Sequence, residues 1–257
     1  MPRPLMAAAR HPRAFTLIEL LVVIAVVAVL TAALLAALAS ARAEAGRVIS
    51  ANNMRTLGVA LELYLDDNNQ DYPATSHGNP DLSEAWVYTL APYLDGARQI
   101  ADPDDPTARI YTLGKVRVCP RDPKAEERLE RGGTSYIMNE FVTVPQVGPF
   151  GQIDPNKSYT NRRRLDHPSR VPTVFIAAPD MGVDATNDHA HSRTWTDFGW
   201  DAVLDDIDPA RFGGDGDRGL GGDSLYLYAD NHLETRPGRE IKSLIDDGIN
   251  FAEPNRQ

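Results

Sequence analysis

The chain has 257 residues, of which 42% are hydrophobic and 24% charged, and its formal net charge is -10. With no basic run longer than Arg162-Arg163-Arg164, this balance argues against nucleic-acid binding, which needs clustered Lys and Arg. The lone cysteine, Cys119, excludes an intrachain disulfide, and the length suits one globular body with an appendage.

The leader MPRPLMAAARHPRA, residues 1–14, carries Arg3, Arg10 and Arg13 and no acid. Behind it runs FTLIELLVVIAVVAVL, in which Glu19 is the one charge, and residues 20–41 hold no charged group. As a helix, the apolar stretch 20–39 would be ~30 Å long and would match a hydrocarbon core. A secretory signal has a shorter apolar centre, ~7 to 15 residues, so an anchor is expected rather than a removable signal. The basic leader favours a cytoplasmic amino terminus and places the body on the far side of the membrane.

Residues 13–25, RAFTLIELLVVIA, resemble the prepilin-type cleavage and methylation motif of type IV pilins and type II secretion pseudopilins. The resemblance implies that a prepilin peptidase cuts between Ala14 and Phe15, that Phe15 is then N-methylated, and that Glu19 is the fifth mature residue. Ala14 stands where that family usually has Gly. The resemblance also implies the partners: other pilin or pseudopilin subunits, an inner-membrane assembly platform, membrane lipid, and no nucleic acid. Localisation would be single-pass in a bacterial inner membrane. An acid within a membrane helix costs about 2.5 to 3.5 kcal/mol on insertion scales, so Glu19 calls for a partner. In the family that partner is the amino terminus of a neighbouring subunit. A plain capping acid, favoured by the helix dipole in the first turn, is the alternative.

Beyond the apolar run, Ile49 or Ser50, Met54, Leu57, Leu61, Tyr64 and Leu65 recur at helical spacing with no Pro break. One helix is therefore expected to continue to about Asp66-Asp67-Asn68-Asn69, residues that favour turns, over a total of ~80 Å. This gives a leader (1–14), a transmembrane helix (15–41), an amphipathic continuation (42–69) and an extracytoplasmic body (70–257).

In the body, residues 83–94 predict a short helix. Strands are predicted at 109–118, 134–144, 173–178, 224–229 and 232–236, the last two joined by a two-residue turn at Asp230-Asn231. The words CPRD (119–122), TSYIMN (134–139) and Ala229-Asp230 resemble those of a bacterial pilin-like group with a carboxy-terminal H-x9-DG signature. Its His falls on Leu220 here and its Gly on Asn231, so only the turn role carries over. The expected fold class is α+β and pilin-like: a long amino-terminal helix packed on a small antiparallel sheet with long loops.

Two segments collect possible metal ligands. Residues 180–195 hold Asp180, Asp184, Asp188, His189 and His191, a transition-metal set whose spacing fits no established motif, so a solvated loop is the preferred reading. The acidic, glycine-rich stretch 205–223 offers Asp215, Asp217 and Asp223 to a structural calcium ion, although EF-hand spacing fails at Gly219. Apart from that calcium, no cofactor is expected. Cys119 is expected to be half-buried at a strand end, Arg162-Arg163-Arg164 to be a solvated loop, and Trp86, Trp195 and Trp200 to be packing residues. Phosphate loops, nucleophile elbows and H-E-x-x-H pairs are missing from the sequence, so no enzyme is expected. The sequence thus predicts a structural subunit of a pilus-like filament or secretion pseudopilus. The alternative is a membrane-anchored binding module for a ligand or metal that does not polymerise.

Overall fold

A computed structural model describes residues 16–76, 85–94, 98–101, 109–112, 114–148, 151–154, 157–213 and 218–254. The chain divides into two units, residues 1–44 and 45–257. Helix α1, Leu17–Asp67, begins in the first and ends in the second. Its amino-terminal part is rich in Ala, Leu and Val and free of Gly and Pro, and its described side chains are exposed from Thr16 to Arg42. Length and composition suit it to cross a membrane.

In the second unit α1 buries Gly46, Ser50, Met54, Leu57, Gly58, Ala60, Leu61 and Leu65. This stripe decides between Ile49, which is exposed, and Ser50, whose hydroxyl meets the Tyr136 hydroxyl at 2.9 Å. The helix stops as the turn residues predict. Asn69 and Gln70 adopt positive φ (54° and 69°), and the Gln70 N–H reaches back to the Leu65 carbonyl at 2.7 Å, closing a Schellman-type cap.

The predicted helix at 83–94 is broken in two. Helix α2, Trp86–Thr89, gives way to a 3₁₀ turn at Ala91–Tyr93, because Pro92 cannot continue the α ladder. Strands β1, Arg98–Ala101, and β2, Arg109–Thr112, form a small antiparallel pair, β1 being absent from the sequence expectation. The strand expected over 109–118 ends at Thr112. Gly114, at φ 58°, opens a 3₁₀ turn, Gly114–Arg117, and Cys119 behind it is fully buried rather than half-buried at a strand end.

Helix α3, Ala125–Glu130, leads to β3, Tyr136–Asn139, and α4, Glu140–Thr143. The expected strand 134–144 is cut short because Asn139 caps α4, its Oδ1 accepting from the Phe141 N–H at 3.0 Å. The remaining elements are β4, Pro172–Ile176; β5, His189–Ala190; α5, Trp195–Phe198; α6, Trp200–Asp206; β6, Asp223–Tyr228; β7, Leu233–Pro237; and α7, Gly238–Asp246. Among the described residues the main sheet has the order β5-β3-β4-β6-β7 and is antiparallel except at β3–β5. Helix and sheet together give the expected α+β class.

Alternate strand residues face different layers. Tyr136, Met138, Val174, Ile176, Leu225 and Leu227 pack in one cluster with Met54, Leu57 and Leu61 of α1. Ile137, Phe175, Tyr226 and Tyr228 belong to a second cluster with Trp195, Val203, Ile241 and Phe251. Both faces are covered, which explains why β3 and β4 are buried along their whole length.

Counted between the hydrogen-bonded Tyr228 and His232, the β6–β7 loop has three residues, 229–231, rather than two. Leu227 pairs with Leu233, the Asn231 N–H bonds the Tyr228 carbonyl at 2.9 Å, and the Tyr228 N–H bonds the His232 carbonyl at 3.0 Å. Asn231, at φ 67°, takes the left-handed position that such a loop requires.

The words CPRD (119–122) and TSYIMN (134–139) carry packing duties. Asp122 and Arg128 form a fully buried ion pair at 2.7 Å, and the Ser135 hydroxyl donates to the same Asp122 oxygen at 2.6 Å. Arg128 also donates to the Gly182 carbonyl at 2.6 Å, so both charges are satisfied internally. Arg162-Arg163-Arg164 forms a 3₁₀ turn near the carboxy-terminal end of α1, with Arg163 and Arg164 exposed as expected and Arg162 half-buried. Arg162 pairs with Glu62, and Arg163 donates to the Asn69 carbonyl at 3.1 Å. The last turn of α1 has no basic residue of its own, so these guanidiniums supply the positive charge that a helix end favours.

Candidate functional site

The amino-terminal site is built from the first turn of α1. The Glu19 carboxylate accepts from the Thr16 backbone N–H at 2.8 Å and from the Thr16 hydroxyl at 2.9 Å, both through Oε2. In return Thr16 Oγ1 accepts from the Glu19 N–H at 3.2 Å. This reciprocal pair is a capping box, which satisfies donors that a helix start otherwise leaves orphaned. Thr16 was not singled out from the sequence, although Thr-x-x-Glu ahead of an apolar run is the signal for it. Ala14 and Phe15 lie outside the described residues.

The segment 180–195 is less solvated than its composition suggests. Asp180 is exposed, but Asp188 and His189 are buried, because His189 and Ala190 form β5 against β3. The Asp188 carboxylate accepts from the Ser76 N–H at 2.9 Å and the Ser76 hydroxyl at 3.0 Å, and it contacts His189 Nδ1 at 2.9 Å. The Asp188 backbone carbonyl accepts from the Trp86 indole at 2.8 Å and the Met138 N–H at 2.9 Å. Asp184 instead pairs with Arg131 at 2.8 Å.

His191 is half-exposed, and its Nδ1 lies 3.1 Å from Asp206 Oδ1. That hydrogen bond raises the imidazole pKa above its ordinary value against the opposing effect of partial burial. The other Asp206 oxygen accepts from the buried Trp195 indole at 2.7 Å. Asp206 was missed from the sequence because its partners lie 11 and 15 residues away on other elements. Among the described residues, no group of three or more His, Cys, Asp and Glu is arranged to hold a metal ion. Of the calcium candidates, Asp215 and Asp217 lie outside the described residues, and Asp223 pairs with Arg47 at 3.1 Å.

A comparison with protein families matches residues 9–35 to the prokaryotic N-terminal methylation motif. No curated protein and no solved structure matched the chain. The match covers the last six residues of the leader, Thr16, Glu19 and the start of α1, and indicates a type IV pilin-like or pseudopilin precursor. It implies processing by a prepilin peptidase and assembly with other pilin subunits, in a group whose members are structural subunits rather than enzymes. Among the described residues, one long apolar helix, which begins within the matched stretch, is consistent with a membrane anchor.

Proposed function

We propose that the chain is a structural subunit of a type IV pilus-like filament or a type II secretion pseudopilus. Cleavage falls between Ala14 and Phe15, Phe15 is N-methylated, and the subunit polymerises through α1. Before assembly it spans the inner membrane once, with residues 1–14 in the cytoplasm, 15–41 in the bilayer, and the amphipathic continuation 42–69 and body 70–257 outside the cytoplasm. An inner-membrane platform extracts it into the filament.

The observation that carries this reading is the methylation motif running straight into a helix whose first 26 residues, 17–42, are exposed and almost wholly apolar. Such a surface needs lipid or other helices to cover it. Glu19 then has two duties in sequence: it closes the capping box in the single subunit, and on assembly it meets the amino group of a neighbour's Phe15. The test is to express the full chain with and without a prepilin peptidase and sequence the mature amino terminus. A start at Phe15 only when the peptidase is present supports the reading, and a start elsewhere overturns it.

A further inference from the structure

We propose that the free edge of β7 docks β7 of a second copy of this chain, the two strands pairing antiparallel about a two-fold axis at Thr235. Among the described residues, β5 and β7 are the edges of the main sheet; β5 has only two residues and β7 has five. An open edge of that length is a template for another strand, because its outward backbone groups lack partners.

The ladder identifies those groups. The Tyr228 N–H bonds the His232 carbonyl, and the bonding direction alternates along an antiparallel pair. With Tyr226 opposite Glu234 and Ser224 opposite Arg236, Glu234 and Arg236 bond β6, whereas Leu233 and Thr235 turn their N–H and carbonyl groups to the open side. Among the described residues, no turn, loop or cap bond reaches these groups. The Glu234 and Thr235 side chains are exposed. Pro237 presents a carbonyl on the same side and has no N–H to satisfy.

The strand LETRP is complementary to itself in one register. Centred on Thr235, the two threonines exchange both backbone bonds, and each Leu233 N–H meets the partner's Pro237 carbonyl. Glu234 then stands opposite the partner's Arg236, twice, at non-hydrogen-bonded positions where the Cα atoms are about 4.5 Å apart. Moving the centre to Glu234 opposes two glutamates, and moving it to Arg236 opposes two arginines, so charge selects the register. Glu240 already holds Arg236 at 2.6 Å, so little side-chain freedom is lost when the partner's carboxylate joins. A two-fold contact closes on itself, whereas a filament needs a contact that repeats in one direction. The partner is therefore a subunit outside the first one's own filament, and the pairing stands or falls separately from the filament reading.

The experiment places single added cysteines in untagged full-length protein in detergent and follows disulfide-linked dimer under mild oxidation; the native Cys119 is buried. In the proposed register the Cα atoms of the two Thr235 residues lie about 5.5 Å apart, within disulfide reach. Ser243→Cys, on α7 away from the edge, reports chance encounters and any contact made through the apolar helix. Thr235→Cys is expected to cross-link at least about tenfold faster than Ser243→Cys, and adding Glu234→Arg, which opposes guanidinium to guanidinium, to slow it about tenfold. All three positions are exposed, so the thermal melt should not change. Equal rates for Thr235→Cys and Ser243→Cys, or a Thr235→Cys rate that Glu234→Arg leaves unchanged, overturns the proposal.

Discussion

The Asn231 carboxamide lies directly over Gly58. A Cβ added at position 58 would fall 2.0 Å from Asn231 Oδ1 and 3.2 Å from Leu227 Cδ1. Gly58 costs α1 about 1 kcal/mol of helix propensity relative to Ala, so its presence in mid-helix marks a close approach. What approaches is the tip of the β6–β7 hairpin, whose left-handed residue is Asn instead of Gly. The two positions are complementary: the side chain gained at the turn fits only because the helix has none.

Gly58→Ala is therefore expected to destabilise the body by about 1 to 2 kcal/mol, overpacking outweighing the propensity gain. In an Asn231→Gly background the larger clash disappears. Asn231 Oδ1 is buried with no hydrogen-bond partner among the described residues, so removing it sacrifices no bond from that atom. There Gly58→Ala should be neutral or stabilising by up to about 1 kcal/mol. Urea unfolding of the four proteins in a double-mutant cycle measures the coupling. An equal cost of Gly58→Ala in both backgrounds would refute the contact as its cause.

A second expectation separates the two duties of Glu19. Thr16→Val removes the hydroxyl that donates to Glu19 and accepts from its N–H, but leaves the carboxylate in place. Glu19→Ala removes the carboxylate itself. If assembly depends on a neighbour's amino group, Glu19→Ala should be inserted and cleaved normally yet almost absent from sheared filaments, while Thr16→Val should still assemble, with reduced yield. Immunoblots of membrane and filament fractions make the comparison. Normal incorporation of Glu19→Ala would remove the pairing argument and leave Glu19 a capping residue only.

What could be read from the sequence was what local pattern determines. The α1 stripe through Met54, Leu57, Leu61 and Leu65, its stop at Asn68-Asn69, and the β6–β7 pair all follow from spacing and turn chemistry over a few residues. What escaped depends on distant partners. The two-residue β5 has no periodicity of its own and exists because β3 lies beside it. The contacts of Arg162 with Glu62 and of Arg163 with the Asn69 carbonyl become visible only when the end of α1 is placed next to them. Asp206 acquires its role only from His191 and Trp195. The strand expected over 134–144 runs on past Asn139, whose side chain ends it by capping α4. The amino-terminal motif was legible for a different reason: a processing signal is read as a linear word, so residues 9–35 carry it without the fold.

Asn139 also provides the sharpest test of the body, because all four of its hydrogen-bonding positions are used in a buried site. Its Nδ2 donates to the carbonyls of Pro172 at 2.7 Å and Ala252 at 2.8 Å, and its Oδ1 accepts from the Phe141 N–H at 3.0 Å and the Ser192 hydroxyl at 2.7 Å. One side chain thus ties β3 to β4, α4, the turn after β5 and the carboxy-terminal tail. Asn139→Asp keeps the shape and both acceptor contacts but turns two donated bonds into an oxygen facing carbonyl oxygens. At neutral pH the cost is expected to be at least about 3 kcal/mol, two lost bonds plus an uncompensated buried charge. The introduced carboxyl would have a folded-state pKa raised above its unfolded value of about 3.9, so the folded variant binds more protons than the unfolded one between the two values. Its stability relative to the parent chain should then improve as pH falls through the folded pKa towards about 4. Denaturant unfolding of both proteins at pH 7.5 and at pH 4.5 tests this sign, and a penalty that stayed constant or grew in acid would show that the two donated bonds are not what the site requires.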